Sequence, residues 1–149
     1  MKFLIADDNI EKQDAIKSFI LRNFPQSEIM QTYAFNSTFD ILRKNSIDFM
    51  FLDMTMPTYD NHEGSQIDKS LRTLAGKDLI SKLAYRNMKV KTAIVTQFEV
   101  FGRHDQITPI ESIYHDLQKK HPDIVLGCVV FDFQSESWEV QLLKIVRDL

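Results

Sequence analysis

The chain has 149 residues, 44% of them hydrophobic and 26% charged, with a formal net charge of −3, enough for one domain (1–149) with a full core. The acidic balance offers no basic stripe to the phosphates of a nucleic acid. A lone cysteine, Cys128, excludes internal disulfides and thiolate metal clusters and suits a reducing, cytoplasmic compartment.

Residues 2–6 are a short apolar run that ends on Asp7, Asp8 and Asn9, which predicts a first strand and a turn. The run is too short for a signal peptide or a membrane span, and no other stretch approaches membrane length. Residues 10–23 place Ala15, Ile16, Phe19 and Ile20 at helical spacing, and Pro25 stops that helix. A second strand is read over 27–34, and a helix over 37–44 with Ser37 as its cap and Phe39, Ile41 and Leu42 inward. The third strand, 48–52, runs straight into Asp53, with Thr55 and Pro57 close behind. The polar stretch 58–76 reads as a loop with a short helix around 67–74, followed by a helix over 77–86. Strand four is 91–96, and 97–108 is a connector. Pro109 fits the first position of a helix running to Lys120, where a missing N–H does no harm. Strand five is 124–131, and Ser135 leads into a last helix over 138–147 with Val140, Leu143 and Val146 as its apolar stripe. Strand followed by helix, five times over, implies a doubly wound α/β fold: a five-stranded parallel sheet with helices on both faces and right-handed crossovers.

Three predicted strands end on oxygen donors: Asp7 and Asp8 after the first, Asp53 after the third and Thr96 on the fourth. In a sheet of order 2-1-3-4-5 the first and third strands are neighbours at the topological switch point, where such sheets bind their ligands. Three carboxylates gathered there repel one another. A hard divalent cation such as Mg²⁺ relieves that, and Mg²⁺ is commonly shared with a phosphoryl group.

The acidic pair in "FLIADDN", Asp53 in "FLDMTMP" and Thr96 in "TAIVTQF" together resemble the receiver domain of two-component response regulators, and the resemblance runs through the whole chain. It implies a flavodoxin-like fold and an aspartyl phosphate switch. Asp53 would take a phosphoryl group from a phosphohistidine on a histidine kinase or phosphotransfer protein. Asp8, Asp53 and the backbone carbonyl of Thr55 would ligate Mg²⁺, with Asp7 acting through water. The Thr96 hydroxyl would bond the phosphoryl group and draw the following loop with it. The family ends its fifth strand on a lysine and a proline. Here Phe131 and Asp132 stand in those places, and Cys128 stands where an aromatic switch residue is usual. The longer connectors 58–76 and 97–108 offer Lys69, Arg72 and Arg103 as replacement cations.

Bland readings stand beside these. Asp53, Asp7 and Asp8 could cap helices, and Thr ends many strands. His62, His104, His115 and His121 show no ligand spacing and read as solvated; Cys128 and Trp138 read as core, and Lys119 with Lys120 as a solvated helix end. The expectation is a receiver without its own output domain. It would not be an enzyme, and it would act by docking on a kinase or phosphotransfer protein and an effector, with no nucleic acid or membrane partner and a homodimer left open. A receiver-like binding module that is never phosphorylated is the first alternative. A phosphohydrolase using an aspartyl phosphate ranks lower, because the acid such enzymes carry two residues after the nucleophile is here Thr55.

Overall fold

The computed structural model describes residues 1–60, 74–102 and 107–148. In chain order the elements are β1 (Lys2–Ala6), α1 (Ile10–Asn23), β2 (Glu28–Thr32), α2 (Phe35–Lys44), β3 (Phe49–Leu52), α3 (Ala75–Tyr85), β4 (Thr92–Thr96), β5 (Val100–Phe101), β6 (Thr108–Pro109), α4 (Ile110–Lys120), β7 (Val125–Val130) and α5 (Ser137–Arg147). Five strands pair in parallel in the order β2-β1-β3-β4-β7, which is the expected 2-1-3-4-5 with β7 as its fifth member. The stretch 97–108, expected as a plain connector, instead contributes β5 and, with Pro109, the antiparallel partner β6.

Strand periodicity explains the two layers of core. On β1, Leu4 and Ala6 face one way and Phe3 and Ile5 the other; on β3, Met50 and Leu52 oppose Phe49 and Phe51. One face is covered by α2, α3 and α4 through Phe39, Leu79 and Leu117, the other by α1 and α5 through Phe19 and Leu142. Each large apolar side chain buried this way contributes about 1.5–3 kcal/mol, so a strand apolar on both faces is stable only between two helical layers. In β7 the pairing passes from Thr92↔Val125 to Ala93↔Gly127, so Leu126 is an extra residue. That bulge reverses the alternation: Val125 packs in the α2–α4 layer and Val129 in the α1–α5 layer.

Local details depart from expectation where distant groups intervene. Ser37 does not cap α2: the helix starts at Phe35, and the Ser37 hydroxyl donates to the Ala34 carbonyl. The first helical amides are taken instead by the loop after β3, Phe35 N–H donating to Pro57 O at 2.8 Å and Asn36 N–H to Thr58 O at 3.0 Å. Pro109 is the residue before α4 rather than its first, and Ile110 N–H donates to Glu99 O across the β5–β6 ribbon. On α5 the buried stripe is Trp138, Leu142 and Val146, whereas Val140 is 72% exposed. Trp138 sets that phase by packing on Phe19 and Phe131. Among the described residues no helix is long and apolar enough to cross a membrane.

Candidate functional site

Parallel register brings the acidic residues together. Ala6 pairs with Leu52, so Asp7 and Asp53 follow side by side at the carboxyl edge, tied by Asp53 N–H donating to Ala6 O at 3.0 Å. One carboxylate oxygen each from Asp7, Asp8 and Asp53 lies within 4.8 Å of the others. Asp7 and Asp53 are buried and Asp8 half-buried. Burial pushes the Asp53 carboxyl up to about 7; Lys12 pulls it down, and Asp7 and Asp8 push it up. Burial likewise raises Asp7 above the ordinary carboxylate range, against the opposing pull of Lys12.

Lys12 is the residue that sequence reasoning missed. It lies in the first turn of α1, whose N-terminus Asn9 caps by accepting from Lys12 N–H at 3.0 Å. Its side chain is wholly buried, and its ammonium donates to Val95 O at 2.6 Å. The same nitrogen lies 2.6 Å from Asp7 Oδ2 and 3.3 Å from Asp53 Oδ1. Neither of those two oxygens receives an aligned hydrogen bond, although both are buried. One ammonium therefore sits between the Asp7 and Asp53 carboxylates without an aligned bond to the oxygen of either that faces it. Buried, under-coordinated oxygen donors in a cluster of this kind fit a hard divalent cation. The signal for Lys12 was present in the sequence: positions 12, 16, 19 and 20 share one helical face, so a lysine stood in phase with Ile16, Phe19 and Ile20. Gln13 on the same face is also buried. Its side-chain nitrogen lies within donating distance of Ile5 O, Asp7 O and Thr32 O and ties the ends of β1 and β2 together.

Thr96 is buried at the end of β4, where its hydroxyl accepts from Phe98 N–H at 3.2 Å and its carbonyl accepts from Phe131 N–H at 2.7 Å. Thr55 is half-buried in the loop after β3. That loop is held from below by α3, where Gly76 N–H donates to Met54 O, and a Cβ at Gly76 would stand 2.7 Å from Asp53 O. Phe131 directly follows β7 and is buried, its ring 4.7 Å from those of Phe133 and Trp138 and 6.0 Å from the Lys12 ammonium. Lys69, Arg72 and Arg103 lie outside the described residues, as do His62, His104 and residues 67–73 of the short helix read around 67–74. His115 is exposed and His121 half-buried. Cys128 is half-buried rather than fully enclosed, and burial raises its thiol to about 12.

An acidic cluster at the carboxyl edge of a 2-1-3-4-5 sheet, beside a strand-end threonine, defines the receiver class. Solved structures agree on the fold. The response regulatory domain of protein mrkE from Klebsiella pneumoniae superposes with a TM-score of 0.64 over 100% of this chain and 94% of that one, at 16% identity. CheY6 of R. sphaeroides, solved in complex with the P1 domain of CheA3, is matched by a chain of TM-score 0.63 and 19% identity, covering 99% of this chain and 95% of that one. No family model matches the sequence. The chain is 49% identical over 150 residues, the full length of both proteins, to the Detocs response regulatory protein DtcB of Enterobacter cloacae. It belongs to the response regulator receiver domains.

Proposed function

We propose that Asp53 is a phosphoacceptor in a phosphorelay. The observation that carries this is the buried Asp53 carboxylate, with Oδ1 lacking an aligned hydrogen bond, set among Asp7, Asp8 and Lys12. A carboxylate oxygen of Asp53 attacks the phosphorus of a phosphohistidine; the new O–P bond forms as the P–N bond breaks, and the imidazole leaves with the electron pair. The proposed Mg²⁺ ligands are Asp8, Asp53 and the Thr55 carbonyl, with Asp7 acting through water. When bound, the ion offsets negative charge on the phosphoryl oxygens. Binding it requires Asp53 in its ionised form, so a carboxyl raised to about 7 releases its proton as the site fills. The Thr96 hydroxyl exchanges its Phe98 N–H partner for the phosphoryl group, and because Thr96 O also holds Phe131 N–H, the loops after β4 and β7 respond together.

CheY6 was solved with the P1 domain of CheA3; by analogy the donor here is a histidine kinase or phosphotransfer domain docking at the carboxyl edge, and the phosphorylated protein then docks on an effector. We place this exchange in the cytosol, where a lone cysteine stays reduced. Phe131 favours a second reading, a receiver-fold binding module that is never phosphorylated, because a ring offers no hydrogen-bond donor to phosphate. Incubation with acetyl phosphate and Mg²⁺ followed by intact mass measurement separates the two. The phosphoacceptor gains one phosphoryl mass that Asp53→Asn does not. No gain, or a gain that survives Asp53→Asn, refutes the first reading.

A further inference from the structure

We infer that Lys12 is the cation that binds the phosphoryl group on Asp53, taking over from the first turn of α1 the task of a lysine at the end of β7. The inference rests on Asp53 being the phosphoacceptor. Its ground is geometric. The Lys12 ammonium is 3.3 Å from Asp53 Oδ1 and is steered there by its bond to Val95 O on the neighbouring strand. An ammonium carries three donors. One is spent on Val95 O, and neither Asp7 Oδ2 nor Asp53 Oδ1 receives an aligned bond from the others. The contact with Asp53 Oδ1, 3.3 Å against 2.6 Å to Asp7 Oδ2, is the looser of the two, and its donor is the one a phosphoryl oxygen would take, two bonds beyond the carboxylate and within the swing of a four-carbon stem.

A purely structural role accounts poorly for a lysine here. Burying an ammonium is costly even when it is paired, and a cation in the first turn of a helix opposes the helix dipole. An aliphatic residue would fill the same buried space without either penalty. A residue that breaks two local rules at once at a strand-end site is where function is expected to override stability. Phe131 completes the arrangement. Its ring, 6.0 Å from the ammonium and buried against Phe133 and Trp138, sets an apolar side chain beside the ammonium at the place a strand-end lysine would occupy. Burial of the Lys12 side chain strengthens its attraction for phosphoryl oxygens. The Lys12 nitrogen trades its loosely aligned contact with Asp53 Oδ1 for a bond to a phosphoryl oxygen.

Two measurements test this. In the first, phosphoryl uptake from acetyl phosphate with Mg²⁺ is followed by intact mass for the wild type and Lys12→Met. The variant should take up phosphate on the order of 100-fold more slowly, the size of effect seen when one preorganised donor is removed. Uptake at the wild-type rate overturns the inference while leaving the Asp53 reading intact; absence of uptake by the wild type overturns the Asp53 reading itself. The second uses unmodified protein and does not depend on a variant folding. With ¹⁵N-lysine labelling, the Lys12 side-chain resonance is recorded with Mg²⁺ alone and after adding beryllofluoride, a phosphoryl mimic. It should shift on beryllofluoride addition in the wild type and not in Asp53→Asn. A resonance unmoved by beryllofluoride that the wild type demonstrably binds by ¹⁹F NMR overturns the inference.

Discussion

Asp53→Asn should stabilise the protein, by an amount set by pH. Asp53 is 6% exposed, and burial lifts its carboxyl from 3.8 to about 7 in the folded chain. Unfolding returns it to its ordinary value, so between the two pH values the folded protein holds a proton that the unfolded chain releases. The contribution of this group to stability is therefore greatest below about pH 4, declines as pH rises from about 4 to 7, and stays low above that. A gap of about 3 pH units is worth about 4 kcal/mol, an upper figure because Asp7, itself raised by burial, lies beside Asp53. Asparagine has the shape of the protonated acid and cannot ionise. The variant should match the wild type at pH 4 and exceed it by about 2–4 kcal/mol at pH 8. Urea unfolding followed by far-ultraviolet circular dichroism, in EDTA across this pH range, measures the difference directly. Saturating Mg²⁺ should then narrow the gap, because an ion held by the native carboxylates adds about 2.7 kcal/mol at a hundredfold excess over its Kd. Equal stability at pH 8, or an offset constant across the range, would refute the reasoning by showing that Lys12 outweighs desolvation and keeps Asp53 ionised throughout.

Two further outcomes probe the scaffold of the site. Gly76→Ala puts a methyl 2.7 Å from Asp53 O, so the loop after β3 must shift; a loss of about 1–3 kcal/mol in urea unfolding is expected, together with slower phosphoryl uptake by mass. Gln13→Leu leaves Ile5 O, Asp7 O and Thr32 O without their shared donor, and should lower stability by about 1–3 kcal/mol and speed hydrogen exchange at the Asp7 amide.

The sheet order and the gathering of Asp7, Asp8 and Asp53 were legible because they depend on the sequence of apolar runs and on where each run meets a charge. Parallel register then leaves little choice: residues that follow paired strand ends must sit side by side. What escaped depends on partners far along the chain. The start of α2 is fixed by the carbonyls of Pro57 and Thr58, which no local capping rule anticipates. The phase of α5 is fixed by Trp138 on Phe131, so Val140 turned outward although its spacing suited an apolar stripe. Lys12 escaped for a different reason. Charged residues on an amphipathic helix are assigned to solvent by default, which leaves the loops after the strands as the apparent sources of a replacement cation. A lysine in register with Ile16 and Phe19 was the sign that α1 carries a functional group on its buried face.

The contact between Trp138 and Phe131 also equips the protein with an optical reporter. Trp138 is the only tryptophan in the chain. Its indole touches the ring that stands over the Lys12 ammonium, and that ring hangs by its amide from Thr96. Charge added beside Lys12, or a pull on the end of β4, thus reaches a single fluorophore through one intervening side chain. If the acidic crevice takes up an ion or a phosphoryl group as proposed, the intrinsic emission of the unlabelled protein is expected to change with it.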